Sequence, residues 1–182
     1  MHENKLSFTG HDSDTIKLFL FWLYQGELPD FKRKVKAHPR NTRNEKSLQE
    51  MVANYEILLI RWWGLGDAYL MPKLQNAAVK STLQLTSNHT SVGPVREAYR
   101  LTQKGSPLRV LFMDEARYEC LACIDRAQCA QDFVELMREP GFFAEFVEPL
   151  QQNEALSELD IFDPANAIHR GSKETKYMVD EG

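Results

Sequence analysis

The stretch from Ile16 to Gly26, Ile-Lys-Leu-Phe-Leu-Phe-Trp-Leu-Tyr-Gln-Gly, constrains this chain more than any other. Ile16, Phe19, Leu20 and Leu23 recur at i, i+3, i+4 and i+7, the period of an amphipathic helix. Leu18, Phe21 and Trp22 make the same helix apolar on most of its other sides. A helix apolar nearly all round is covered by neighbours or sits at an interface. Asp12 is a good N-cap, Asp14 suits the positive end of the helix dipole, and Gly26 ends the helix as a C′ glycine.

The rest of the chain supplies more helices. Lys5-Leu6-Ser7-Phe8 alternates and predicts one short N-terminal strand. Residues 27–46 carry Pro29, Pro39 and a basic cluster, and read as a long loop or insertion. Helical spacing returns with Leu48, Met51, Val52, Tyr55, Leu58, Leu59, Trp62 and Leu65. Gly64 and Gly66 each cost about 1 kcal/mol inside a helix, so they point to close approach of a neighbouring helix. Pro72 disfavours helical geometry at Met71, which predicts a corner there and a new helix with Leu74, Ala78, Ser81 and Leu85 inward. A short helix over 94–102 follows, with Val95, Ala98 and Tyr99 inward. Gly105-Ser106-Pro107 is a stop, an N-cap and a first helical residue in order. Leu108, Phe112, Ala116, Cys120 and Cys123 form the stripe of the next helix. Two more repeats follow, one with Ala130, Phe133, Val134 and Met137, the other with Phe143, Phe146, Val147 and Leu150. Periodicity fades after residue 153, so 154–182 read as a flexible tail.

The net charge of −4 is unevenly spread. Residues 31–46 hold seven basic residues against one acid, which leaves 15 basic and 25 acidic residues elsewhere. Lys32, Arg33, Lys34, Lys36, Arg40 and Arg43 form a basic patch on an acidic body. It reads as a solvated loop, with a nuclear-import signal or a polyanion contact as the alternative. Phe31 is the only aromatic residue there, which argues against a base-stacking surface and against nucleic acid as a partner. No apolar run approaches a membrane span, and no export signal opens the chain. With three cysteines and no export signal, a reducing cytoplasmic or nuclear setting is expected.

No catalytic chemistry is legible. Cys120, Cys123 and Cys129 have a metal-like spacing but lack a fourth ligand nearby, and they read as small core residues. The five histidines are scattered, and no nucleophile sits beside a base and an orienting acid. The glycines are isolated, so no phosphate loop is expected. Asp114 and Glu115 read as a solvated helix face. The expectation is a chain that is not an enzyme, with no catalytic residue, cofactor or metal. Adjacent Trp62 and Trp63 point about 100° apart on a helix, so both are not expected to face inward. Trp62 reads as core, while Trp63 either covers the helix joint or, like Phe21, anchors a partner.

Several motifs in order carry a resemblance. Trp22-Leu23-Tyr24-Gln25-Gly26 matches a W-L-Y-x-G helix end. Gly66-Asp67-Ala68-Tyr69, a proline corner at Pro72, and Lys73-Leu74-Gln75-Asn76-Ala77 match an A-D-K-Y helix end followed by a K-L-Q-N-A helix. Gly105-Ser106-Pro107-Leu108-Arg109 matches a later G-S-P-L-R segment. Over roughly residues 5–125 the chain resembles the second half of a BTB/POZ domain, in the version found in many fungal proteins. Gly66 stands where alanine is usual, Ala68 where a basic residue is usual, and Phe21 replaces an acid. The family's first strands and helices, with their V-H-K segment, have no counterpart before Lys5. The resemblance implies a mainly α chain: a partial BTB/POZ α/β fold represented by its helical half over 1–90, with 31–46 as an insertion. A helical extension over 91–153 and the tail 154–182 complete it. It also implies a non-enzymatic protein–protein interaction module, with self-association or a cullin-type ubiquitin-ligase scaffold as partner. In the resemblance, helix 12–25 and joint 66–77 would face the cullin-type scaffold, and Phe21, Trp22, Trp63 and Tyr69 are the partner-contact candidates. Alternatively, a nuclear regulatory or nucleic-acid-linked protein would act through 31–46. Leu20, Leu23, Leu58, Trp62 and Leu74 are expected to be buried together. Phe21, Trp22 or Trp63 is expected in an exposed apolar patch that makes the isolated chain sticky.

Overall fold

Asp12 opens the first helix by accepting the backbone N–H groups of Asp14 and Thr15 at 3.0 and 2.9 Å. The computed structural model describes residues 10–38, 45–85, 91–122, 127–151 and 174–181. Among them are eight α-helices: α1 (Ser13–Gln25), α2 (Phe31–Lys36), α3 (Glu45–Ala68), α4 (Pro72–Leu85), α5 (Val92–Leu101), α6 (Pro107–Ala122), α7 (Ala127–Leu136) and α8 (Phe142–Gln151). A 3₁₀ turn, Glu174–Tyr177, follows. The described chain is mainly α and contains no strand; the strand expected at 5–8 lies outside the described residues.

α3 is the axle of the fold. It packs against α1, α2, α4 and α5. Neighbouring helices on several sides are why Trp62 and Trp63 are both buried, with Trp63 only 2% exposed, against the expectation that neighbours cannot both point inward. The 100° between them matters only for a helix with one buried face. Gly66 permits the close approach of α4, since a Cβ there would stand 2.8 Å from Leu74 Cδ2 and 2.9 Å from Gln75 Cγ. Gly64 has open space around it, so the close-approach reading holds for Gly66 alone.

A second layer is built on α6, which packs against α5, α7, α8 and the 3₁₀ turn. Ser106 Oγ accepts the Arg109 N–H at 3.3 Å and caps α6, with Gly105 at φ 82° before it. Apolar side chains from both layers form one buried cluster, running from Leu18 through Leu59 and Leu111 to Phe146 and Tyr177.

Four expectations are corrected. Residues 31–36 are a helix, not loop: Asp30 Oδ1 caps it by accepting the Arg33 N–H at 2.8 Å, and Phe31 anchors it against Tyr55. Asp114 and Glu115 are buried rather than solvated, because α6 is covered on every side by its neighbours. Glu174–Glu181, the described part of the expected tail, is docked, and Tyr177 is fully buried. Phe143 is exposed and Phe142 takes the core position beside Phe146, one residue earlier than the expected stripe.

Candidate functional site

Among the described residues, the outer face of α1 groups four of the exposed large apolar side chains on one helix. α1 buries Thr15, Leu18 and Phe19 and half-buries Trp22, a stripe at i, i+3, i+4 and i+7. The expected stripe on Leu20 and Leu23 is therefore rotated by about one residue. Leu23 is 53% exposed and Leu20 44%, so these two do not join Leu74 and Trp62 in the core. A helix apolar on most sides does not specify its own rotation; its partner does. Trp22 packs edge-on against Trp62 with ring centroids 5.9 Å apart, and the Asp12 carboxylate lies 3.5 Å from Arg61 at the other end of α1. Rotated this way, α1 turns Leu20, Phe21, Leu23 and Tyr24 to solvent, with Tyr24 84% exposed.

Burial alone would raise the Asp12 carboxyl pKa. The hydrogen bonds from Thr15 and Asp14 and the nearby Arg61 guanidinium outweigh it and hold the group below its usual value. The cap that starts α1 is thus ionised across the neutral range.

The second exposed apolar element is the corner between α3 and α4. The Met71 N–H donates to Gly66 O at 2.8 Å and the Leu70 N–H to Asp67 O at 3.2 Å. That pairing is a Schellman motif with Leu70 at C′. Leu70 has φ 54°, the left-handed conformation that glycine normally supplies, and its side chain is 87% exposed. Tyr69, also exposed, has its ring 6.2 Å from that of His11, so the corner adjoins the start of α1.

Of the four contact candidates, Phe21 and Tyr69 are exposed and Trp22 is half-buried against Trp62. Trp63 is enclosed in the core and is not available as a surface anchor. The basic patch divides: Lys32, Arg33, Lys34 and Lys36 are all exposed on α2, and Arg40 and Arg43 lie outside the described residues. Tyr24 and Leu70 were missed as contact candidates. Tyr24 was legible as part of a helix apolar on every side, whereas the backbone geometry of Leu70 has no sequence signal.

The interior holds ionisable side chains that periodicity alone does not reveal. Arg109 pairs bidentately with Glu145 at 2.9 and 2.5 Å, donates to Thr102 O at 2.8 Å, and lies 3.6 Å from the Tyr99 ring centroid. It joins the end of α5 to α6 and α8. Arg117 pairs with Asp114 and donates to the backbone oxygens of Glu145 and Phe146. Glu56 on α3 is 1% exposed, and none of the described residues hydrogen-bonds its Oε2. Desolvation raises its pKa well above the ordinary value, and the Glu115 carboxylate raises it further. Among the described residues no group of three or more His, Cys, Asp or Glu side chains is placed to hold a metal ion. The cysteine spacing over 120–129 lies outside the described side chains. No helix of the described residues is long and apolar enough to cross a membrane.

Comparison with protein-family models, with curated proteins and with solved structures finds no match to this chain.

Proposed function

We propose that this chain is a non-enzymatic protein-interaction module of the BTB/POZ type, which docks a partner on the outer face of α1 and the α3–α4 corner. The observation that carries this reading is the run of four large apolar side chains, Leu20, Phe21, Leu23 and Tyr24, turned to solvent from one helix. Grouped exposed apolar side chains mark interaction sites, whereas isolated ones need no explanation. The corner adds Tyr69 and Leu70. These two regions are the ones the BTB/POZ resemblance marks as facing a cullin-type scaffold, and the observation of exposure is independent of that resemblance. The partner is a protein: a second copy of the chain or a cullin-type scaffold.

Sedimentation velocity of the purified chain, with and without the N-terminal region of a cullin scaffold, tests the reading. The chain is expected to self-associate or to bind the scaffold. Replacing Leu23 by Asp and Tyr24 by Ser is expected to abolish that association without moving the thermal melt, since both side chains lie outside the core. A monodisperse monomer that ignores the scaffold, or association untouched by the double substitution, overturns the reading.

A second reading has α2 carry a nuclear or nucleic-acid-linked role. It is favoured by Lys32, Arg33, Lys34 and Lys36 all reaching solvent from one short helix. Phe31 is buried, so α2 offers no aromatic face for base stacking, which favours the first reading. Changing the four cations to glutamine is expected to leave stability within about 0.5 kcal/mol and localisation unchanged. Loss of nuclear accumulation of a tagged chain would favour the second reading.

A further inference from the structure

The described C-terminal segment, Glu174–Glu181, makes contacts of a different kind from the helices. In sequence, 22 residues separate it from Gln151 at the end of α8. It lies across α4 and α6. Asn76 on α4 is 6% exposed, and its side-chain amide pairs with both backbone groups of one residue. Nδ2 donates to Val179 O at 2.9 Å, and Oδ1 accepts the Val179 N–H at 2.7 Å. Nδ2 also donates to Glu181 Oε1 at 3.0 Å. A side-chain amide that closes this two-bond ring reads backbone rather than side chain, as a sheet edge does for an added strand.

Two residues before Val179, Tyr177 is fully buried. Its hydroxyl donates to Asp114 Oδ2 at 3.1 Å, and Lys176 Nζ donates to the same oxygen at 3.0 Å. The other Asp114 oxygen is held by Arg117, which is itself fixed by the Phe146 and Glu145 carbonyls. The floor under Tyr177 is therefore organised by α6 and α8 and does not rely on the segment for its shape. One anchoring side chain at the end of a 3₁₀ turn, one residue gripped by its backbone and charged residues on either side are the parts of a peptide site.

We propose that the groove between α4 and α6 is a peptide-binding site, and that Lys176–Glu181 is its resident, exchangeable ligand. The ligand class is a peptide whose 3₁₀ turn ends in a basic residue and an anchoring tyrosine, followed two positions on by a residue with a free backbone N–H and then by acids. This site is separate from the α1 face and does not depend on the reading given to it. A tethered resident competes at high effective concentration, so the intact chain resists free peptide until the resident is weakened.

The test uses a fluorescein-labelled decapeptide with the sequence of residues 173–182 and the full-length chain, read by fluorescence anisotropy. Tyr177→Ala empties the anchor pocket. Val179→Pro removes the N–H that Asn76 accepts while keeping an apolar side chain where Val179 packs against the core. Each variant is expected to bind the peptide at least tenfold more tightly than the unsubstituted chain. Adding Asn76→Ala to Val179→Pro is expected to reverse that gain, as is replacing tyrosine by alanine in the peptide. The proposal is overturned if neither variant binds better than the unsubstituted chain, or if the Asn76→Ala addition leaves binding unchanged. It is equally overturned if both variants lose their cooperative melt, which would show that the rest of the fold does not stand without the segment.

Discussion

Trp22 meets Trp62 edge-on, with ring planes at 73° and centroids 5.9 Å apart, and this contact sets which face of α1 turns to solvent. Leu18 and Phe19 share the inward side, while Leu20 and Leu23 are left out. Leu18→Ala is therefore expected to cost about 2–5 kcal/mol, the range for a buried leucine. Leu23→Ala is expected to stay within about 0.5 kcal/mol, as surface substitutions do. Urea denaturation of the two variants checks this, and a larger loss at Leu23 than at Leu18 would show that α1 is rotated the other way.

Leu70 stores strain at the α3–α4 corner. A non-glycine residue in the left-handed region is disfavoured by about 1–2 kcal/mol. Leu70→Gly removes that strain but gives the unfolded chain more freedom, so a net gain of about 0.5–1 kcal/mol is expected. The same change deletes a fully projecting apolar side chain from the proposed docking face. The expected outcome is a chain that melts higher and associates more weakly, a known trade between stability and function.

Glu56 makes stability depend on pH in a direction opposite to that of most carboxylates. Its folded pKa is raised well above the ordinary 4.5 by desolvation and by Glu115. Its contribution is therefore full below about pH 4.5 and is lost as pH rises toward the raised folded value. Glu56→Gln removes that loss. The variant is expected to be more stable than the unsubstituted chain at neutral pH, with the gap narrowing as pH falls to 4.5. Chemical denaturation across pH 4–8 measures the gap, and a constant offset would show that Glu56 does not titrate in this window.

The two glycines near the end of α3 are expected to respond with opposite signs. Gly64→Ala meets nothing within 4 Å and raises helix propensity, so a gain of about 1 kcal/mol is expected. Gly66→Ala drives a methyl to 2.8 Å from Leu74 Cδ2 and 3.3 Å from the Gln75 backbone nitrogen. Overpacking of this kind costs about 1–3 kcal/mol. Thermal melts of the pair distinguish close helix approach at Gly66 from a general dislike of glycine in α3.

Much of the helical layout was legible along the chain, because caps, stops and the 3.6-residue period are local. Asp12, Gly26, Pro72 and Ser106-Pro107 act on neighbours within one turn, and each marks a boundary where the sequence shows it. α2 was hidden because six residues are too few to display a period, and its cations read as loop. Which face of a helix is buried is decided by what lies against it. α1 is apolar on nearly every side, so its packing against α3, with Trp22 on Trp62 and Asp12 near Arg61, orients it. α3 has helices on several sides, so both Trp62 and Trp63 are enclosed. The burial of Asp114 and Glu115 and the seat of Tyr177 on Asp114 join residues far apart in sequence. Of the candidate docking face, Phe21 and Tyr69 were legible as apolar residues of helix 12–25 and the joint 66–77. The exposure of Tyr24, the strained projection of Leu70 and the loss of Trp63 to the core were decided by tertiary packing. Local sequence determined where this chain forms helices; long-range contacts alone decided which of its many apolar side chains were left facing water.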